Sequence, residues 1–304
     1  MLAAKPPYAS HRVLLARLTL AAVFLGLASP DLASAWPGGG EFKLTVLDPQ
    51  TGAPLPCRMH ITNEKGKPQR VSKAPFWHDH FAFPGTVKIK LPKGNYQFVI
   101  ERGPEYLECS GYFIIENLSK DEKVVDLKRA VDMAGEGWWS GDLHVHRPAK
   151  DIELLMQAED LHVAPLVSWS NVKNEWTKRG PPAEHVKQFD ANRYYDLLAG
   201  EDERGGSALL FFRLPKPLDL SNATPEFPSS LKSLLAAREH EGAWVDAAKP
   251  FSWDLPVWLA CGKIDSIGLC NDHLGRNKMQ TDEAGGKPRD RKRLPDPLGN
   301  GQWS

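Results

Sequence analysis

Two histidines and an aspartate stand close together in the run Asp142-Leu143-His144-Val145-His146. The run is typical of a short strand, in which side chains alternate between two faces, so we expect His144 and His146 on one face with Asp142. Two neutral imidazoles on one face can bind the same transition-metal ion, and a nearby carboxylate can bind that ion or orient an imidazole. The run therefore predicts a metal site. The alternative interpretation is a polar strand end that carries two unrelated histidines.

Further carboxylates and another imidazole follow later predicted strands. Glu201 comes directly after residues 194–198, Asp246 ends a predicted strand, and His273 follows the last one. In α/β proteins the carboxyl ends of parallel strands meet at one edge, where binding sites are commonly built. We therefore expect Glu201 and His273 to join the two histidines of the first motif. The alternative is that these side chains are solvated residues at strand ends.

The elements that would position these residues follow a strand–helix–strand pattern from residue 138 onward. Apolar runs predict strands over residues 142–146, 163–169, 208–213, 243–246 and 264–270. Helical spacing and boundary residues predict helices after residue 151 and over residues 190–198, 228–240 and 254–260. Near-continuous apolar strands that alternate with helices favour a parallel sheet or an α/β barrel with its helices outside.

Residues 36–130 have a different pattern, with short alternating strands and no convincing helix. Strands are predicted over residues 42–47, 57–61, 86–91, 96–101, 112–115 and 123–127. This pattern predicts an all-β sandwich of about 95 residues. The runs 51–58 and 91–96 resemble the carboxypeptidase regulatory-like modules of exported proteins. That resemblance implies a supporting module, to which we assign no chemistry.

The run Trp77-His78-Asp79-His80 repeats the His-x-His spacing inside the predicted sandwich. Its neighbours are aromatic, and Asp79 is the acidic residue beside the two histidines. We interpret this run as a surface or interdomain loop.

Length and charge limit the class of protein. The chain has 304 residues, which is enough for two globular domains with sizeable cores. Lys plus Arg and Asp plus Glu number 38 each, and no basic stripe stands out, so nucleic acid is not an expected partner.

The N-terminus has the features of an export signal. Arg12 and Arg17 precede the apolar run 18–28, and Ala33-Ser34-Ala35 offers small residues for cleavage. We expect residues 1–35 to be removed and the mature protein to be periplasmic or extracellular. The apolar run is shorter than the roughly 20 residues of a spanning helix, so we expect no stable membrane span. An uncleaved anchor is the alternative.

The four cysteines form no Cys-x-x-Cys pair. In an exported protein, bridges between Cys57 and Cys109 and between Cys261 and Cys270 are one interpretation. Buried free thiols are the other.

The run Trp139-Ser-Gly-Asp-Leu-His-Val-His146 resembles the first motif of the PHP (polymerase and histidinol phosphatase) superfamily, in its exported CehA/McbA-type metallohydrolase form. The resemblance implies a distorted β/α barrel that holds more than one metal ion for hydrolysis. Residues 198–201 look like the family's Gly-x-Glu region, which matches Glu201 to a metal-bridging carboxylate. Residues 138–304 would then be a partial metallohydrolase domain. In it His144, His146, Glu201 and His273 would hold zinc or manganese, and Asp142 would act as a base or orient an imidazole.

The chain also departs from the family pattern. Arg147 stands where a further histidine is expected, Trp169 and Ser170 replace an acid and an imidazole, and Lys249 occupies a later histidine position. The family's closing strand does not occur before residue 304. We therefore expect several metal ligands to be missing. The sequence is then either a fragment or shortened form of the domain, or an incomplete barrel that a partner completes.

Two functions follow from these features. The first is an exported metal-dependent hydrolase in which metal-bound hydroxide attacks a phosphoester, amide or carbamate of an unidentified small-molecule substrate. The second is a degenerate, non-catalytic exported protein that binds a carbohydrate or a protein. Tryptophans near the predicted site are compatible with sugar stacking, although tryptophans also fill cores. They are Trp138, Trp139, Trp169 and Trp253.

Overall fold

The structure of the protein is a computed structural model that describes residues 38–204, 207–220, 230–250, 252 and 254–269. The predicted export signal over residues 1–35 lies outside the described residues, and so do His273, Trp253 and Cys270. The described residues belong to one compact unit.

The first part of this unit contains two β-sheets. Its strands are β1 (Gly39–Leu47), β2 (Cys57–Asn63), β3 (Phe76–Trp77), β4 (His80–Phe83), β5 (Thr86–Pro92), β6 (Gly94–Glu101), β7 (Cys109–Ile115) and β8 (Lys120–Asp126). One sheet has the order β5-β1-β8, and the other has the order β3-β4-β2-β6-β7. These strands cover every strand that the alternating pattern predicts before residue 128.

The core of this part forms because apolar side chains alternate along the strands. On β2, Met59 and Ile61 are fully buried in a cluster that also contains Leu44 of β1 and Ile89 of β5. Burying one such side chain contributes about 1.5–3 kcal/mol relative to leaving it exposed. The same alternation turns His60 to the opposite face of the sheet, away from this core.

The second part contains a six-stranded mixed sheet and three short helices. Its strands are β9 (Val163–Ser170), β10 (Val186–Phe189), β11 (Arg193–Arg204), β12 (Ser207–Phe212), β13 (Trp244–Ala247) and β14 (Ser266–Ile267). The helices are α1 (Ile152–Glu159), α2 (Leu231–Ala237) and α3 (Leu255–Ala260). The sheet order is β10-β11-β12-β13-β14, and β9 pairs with the other edge of β11.

The predicted α/β fold class, a distorted and incomplete PHP-like barrel after a β-sandwich, is wrong. β11 pairs antiparallel with β10 and β12, and β12 pairs antiparallel with β13. Within this six-stranded sheet, parallel pairing is confined to β9 with β11 and β13 with β14. Within the described ranges there is no β/α barrel, so strand carboxyl ends do not converge on a barrel mouth.

One predicted helix is also wrong. The spacing of residues 190–198 predicts a helix, but after Asp190, whose φ is +58°, the chain enters the long strand β11. The aromatic pair Tyr194 and Tyr195 suits a pleated, half-buried surface, and pairing with Val163 and Ala164 of β9 outweighs the local helical spacing. The predicted helices after residue 151, in 228–240 and in 254–260 correspond to α1, α2 and α3.

A buried ionic cluster lies where α1 meets the surrounding strands. Asp160 ends α1 in the left-handed conformation, and its carboxylate accepts hydrogen bonds from Arg102 at 2.7 Å, Arg129 at 2.8 Å and Arg193 at 2.7 Å. Burial alone would raise the pKa of Asp160, but the three guanidinium groups outweigh it and hold that pKa below its usual value. The cluster therefore ties the sandwich to the second sheet.

Cys57 and Cys109 are free thiols, so the predicted bridge between them is not formed. The physical reason is that β6 lies between β2 and β7. Cys109 lies two strand spacings across from Met59, so its Cα atom is more than about 9.5 Å from that of Cys57, beyond the roughly 7 Å limit for a disulfide. Burial raises the pKa of the Cys57 thiol. None of the described helices has the length and apolar character that crossing a membrane requires.

Candidate metal centre

Three of the predicted ligands meet at one point. His144 Nε2 lies 2.9 Å from Glu201 Oε1, and His146 Nε2 lies 3.3 Å from Glu201 Oε2. The two Nε2 atoms are 3.0 Å apart. We call His144, His146 and Glu201 the His144 cluster.

Two different backbone segments build the His144 cluster. The histidines belong to an extended segment that runs beside β9, with isolated parallel bridges from Gly141 to Val163 and from Val145 to Leu166. The predicted strand 142–146 is thus an irregular edge segment, not a continuous strand. Because Val145 is buried against β9, its neighbours on either side project away from that contact.

Glu201 reaches the same point from the second sheet. It lies in β11, flanked by Ser170 of β9 and Leu210 of β12. Its side chain is 7% exposed, whereas that of His146 is 52% exposed. The cluster therefore has a buried carboxylate at its base and a solvent-facing imidazole at its rim.

The electrostatics of the cluster favour an ionised carboxylate. Burial would raise the pKa of Glu201, but hydrogen bonds from His144 and His146 outweigh burial and lower that pKa to about 2. Two Nε2 atoms at 3.0 Å repel each other if both carry protons. A metal ion that replaces those protons would remove the repulsion and bind the same three side chains.

The spacing of the two Nε2 atoms and the two Glu201 carboxylate oxygens fits one metal ion. Zinc binds nitrogen and oxygen at about 2.0–2.2 Å, which places neighbouring tetrahedral ligands about 3.3 Å apart. The observed separations of 2.9, 3.0 and 3.3 Å need only a small outward movement to reach that value. Two imidazoles and a carboxylate suit zinc, and manganese is compatible with the carboxylate.

Two other carboxylates lie near the cluster. Asp142 Oδ1 accepts the backbone N–H of His144 at 3.0 Å, so this predicted catalytic residue holds the backbone that carries the imidazole. Asp246 of β13 and Glu201 both pair with Leu210, so their side chains share a face of the sheet about two strand spacings, or 9.5 Å, apart. Burial raises the pKa of Asp246, although Ser266 and the charge of His144 act in the opposite direction.

Ser170 and Lys249, which stand where the family pattern has metal ligands, have other roles in this structure. Ser170 lies opposite Glu201, and its hydroxyl accepts the backbone N–H groups of Val172 and Lys173. Lys249 Nζ donates to Glu203 at 2.6 Å. The described part of the site therefore offers three ligands to one ion, and His273 falls outside it.

An open cleft of about 340 Å³ adjoins the cluster, and His146, Arg147, Ser170 and Lys173 are among the residues that line it. Trp169 is 1% exposed, stacks on Phe211 and donates to the carbonyl of Leu198, so it belongs to the core.

Of the tryptophans that the sequence places near the predicted site, Trp138 and Trp139 are exposed. Trp139 stacks on His162 and Tyr194, with ring centroids 5.9 and 5.7 Å away. Its outer face remains accessible, because 53% of the residue is exposed.

Comparison with known proteins gives few likenesses. No protein-family model matches the chain, and no curated protein matches it. Among solved structures, the Bacillus anthracis TIE protein is 23% identical, with 38% of this chain and 20% of that chain covered and a TM-score of 0.25. The major pilin subunit BcpA of Bacillus cereus is 15% identical, with 31% of each chain covered and a TM-score of 0.24. The group B streptococcus pilus 2b backbone protein is 18% identical, with 31% of this chain and 43% of that chain covered and a TM-score of 0.25.

The predicted membership of the PHP superfamily is wrong. The resemblance implied a β/α barrel, which the described residues do not form. The expectation of a PHP-type hydrolase is wrong with it. The chain spans less than half the length of each of these three proteins, and TM-scores near 0.25 assign it neither their fold nor their function.

Proposed function

We propose that this protein is an exported, non-catalytic binding protein that holds one divalent metal ion, zinc or manganese, with His144, His146 and Glu201. The observation that carries the proposal is the convergence of two Nε2 atoms and a buried carboxylate at mutual distances of 2.9–3.3 Å. Export is supported by the basic, apolar and small-residue pattern of residues 1–35.

A binding role fits the number of ligands better than a multinuclear catalytic role does. Lys249 donates to Glu203, and Ser170 accepts from the backbone, so neither side chain adds a ligand to the cluster. Three protein ligands leave one position of a tetrahedral zinc ion open.

His146 is the exposed ligand of the cluster and lines the cleft, so a bound partner would approach the open position from that side. We infer that this position accepts an oxygen of the bound partner, which is a carbohydrate or a protein. Arg147 and Lys173 line the same cleft, and their charges would favour an acidic group on that partner.

Zinc titration calorimetry of the full chain tests the proposal. The double variant H144A/H146A is expected to bind one ion fewer than the wild type. The matched control is His185→Ala, which removes an imidazole that pairs with Asp196 at 2.7 Å outside the cluster. The control is expected to bind as many ions as the wild type. Equal stoichiometry in the wild type and the double variant would contradict the proposal.

A further inference from the structure

A second group of histidines lies in the sandwich, and one of them, His80, belongs to the run that the sequence assigns to a loop. His60 of β2 and His80 of β4 are directly opposite each other in the antiparallel ladder, so their side chains share a face. Their ring centroids are 5.1 Å apart. Asp79 occupies the two-residue turn between β3 and β4, next to His80.

The carboxylate of Asp79 lies between the two imidazoles. Its Oδ1 is 2.9 Å from His80 Nδ1, and its Oδ2 is 3.4 Å from His60 Nδ1. One ligand atom from each of the three residues lies within 4.8 Å of the other two. We call His60, Asp79 and His80 the His60 cluster.

The other ring nitrogen of His60 has a carboxylate of its own. His60 Nε2 lies 3.2 Å from Glu101 Oε2, and Arg58 Nε donates to the same oxygen at 2.8 Å. A metal-binding histidine commonly donates its second N–H to a carboxylate, which selects the tautomer and leaves the first nitrogen available to the metal. With a proton on Nε2, the nitrogen left available would be His60 Nδ1, which lies 3.4 Å from Asp79 Oδ2.

The cluster is sheltered but reachable. The side chain of His60 is 11% exposed and that of Asp79 is 32% exposed, so water reaches the cluster from the turn. Arg58 also donates to Glu159 of α1 at 2.6 Å. The Glu101 carboxylate is therefore held by an arginine that also contacts α1. These contacts hold His60 in place before any ion arrives.

We propose that His60, Asp79 and His80 form a second metal site that binds one zinc-class ion through two Nδ1 atoms and a carboxylate oxygen. Two nitrogens and one oxygen suit zinc better than magnesium or calcium, which prefer oxygen ligands. Water would complete the coordination. The ion would fasten the β3–β4 turn to β2. Trp77, the last residue of β3, directly precedes that turn, and the guanidinium of Arg147, beside His146, lies 4.2 Å from the centre of the Trp77 ring.

Zinc content after dialysis, together with cobalt(II) absorption spectra, tests this site in the full chain. The wild type is expected to bind two ions, H60A/H80A one, H144A/H146A one, and the variant with all four substitutions none. The matched control is His78→Asn, which alters the neighbouring imidazole at φ +50° with a residue that tolerates this conformation. The control is expected to retain two ions.

Asp79→Asn provides a variant that keeps the fold if H60A/H80A does not, because the substitution lies in a partly exposed turn and preserves shape. It is expected to weaken binding of one of the two ions more than tenfold. If H144A/H146A binds no zinc while the wild type binds one ion, the His60 cluster is an ion pair only and the second site is refuted. If H60A/H80A binds none while the wild type binds one, the His144 cluster fails instead.

Discussion

Replacing Asp160 with asparagine should destabilise the protein strongly, although the shape of the side chain barely changes. Asparagine tolerates the left-handed conformation that Asp160 adopts, with φ 55° and ψ 38°, so the backbone is not strained. The substitution therefore removes one negative charge from among Arg102, Arg129 and Arg193 and little else.

The magnitude follows from burial and from the partners that remain. Removing one member of a buried ion pair costs about 3–5 kcal/mol, because the opposite charge stays buried without compensation. Arg129 keeps a contact to Glu105 at 2.6 Å, and Arg193 keeps one to Asp190 at 3.0 Å. These remaining contacts favour the lower end of that free-energy range. We expect the free energy of unfolding to fall by about 3 kcal/mol at pH 7.

Urea unfolding followed by tryptophan fluorescence measures this change. Asp132→Asn is the matched control, because Asp132 is 61% exposed and lies 3.8 Å from Arg129. An exposed pair of this kind contributes at most about 1 kcal/mol. A loss in Asp160→Asn no larger than in the control would refute the assignment of a stabilising role to the buried cluster.

The pH dependence gives an independent check. The pKa of Asp160 is lower in the folded protein than in the unfolded chain, where it is about 3.9. Its contribution to stability is therefore complete above that unfolded value and is lost as the pH falls through the folded value. The stability difference between wild type and Asp160→Asn should be constant from pH 5 to 7 and shrink below about pH 4. A stability difference that grows toward low pH would contradict the direction of the Asp160 pKa shift.

Three further predictions address the metal sites and export. Glu201→Gln should lower the zinc affinity of the His144 cluster more than about 100-fold while the other ion stays bound. Losing a direct ligand exceeds the roughly 10–100-fold effect of an outer carboxylate. Calorimetry that finds the binding of both ions unchanged would contradict this prediction. Glu101→Gln should lower the zinc affinity of the His60 cluster by about 10–100-fold, because the carboxylate that selects the His60 tautomer is lost. A cobalt(II) titration that matches that of the wild type would argue against this prediction. N-terminal sequencing of protein from the native host should begin near Trp36, and an intact Met1 on cytoplasmic protein would exclude export.

The strands of the sandwich could be predicted because one face of each is buried and the other is solvated. On β2, Cys57, Met59 and Ile61 are buried while Arg58 and His60 are not, so a period of two is visible in the sequence. The second sheet gives no such signal. Every residue of β12 is buried, and a continuous apolar run does not distinguish parallel from antiparallel neighbours.

The two clusters also differ in how far they could be predicted from the local sequence. His144 and His146 share a face through local spacing alone, so their proximity could be predicted from five consecutive residues. The His60 cluster depends on the register that pairs His60 with His80, which is decided by the packing of β2 and β4. The local sequence shows only the His-x-His spacing of the turn, and His78, one of its two histidines, is not among the ligands.

Anomalous scattering at the zinc edge, from crystals of the protein soaked in zinc chloride, tests the central claim most directly. We predict a peak about 2.0–2.2 Å from His144 Nε2, His146 Nε2 and one oxygen of Glu201. A structure without a peak at that position, in which the two imidazoles stay hydrogen-bonded to the Glu201 carboxylate, would contradict the proposed metal site.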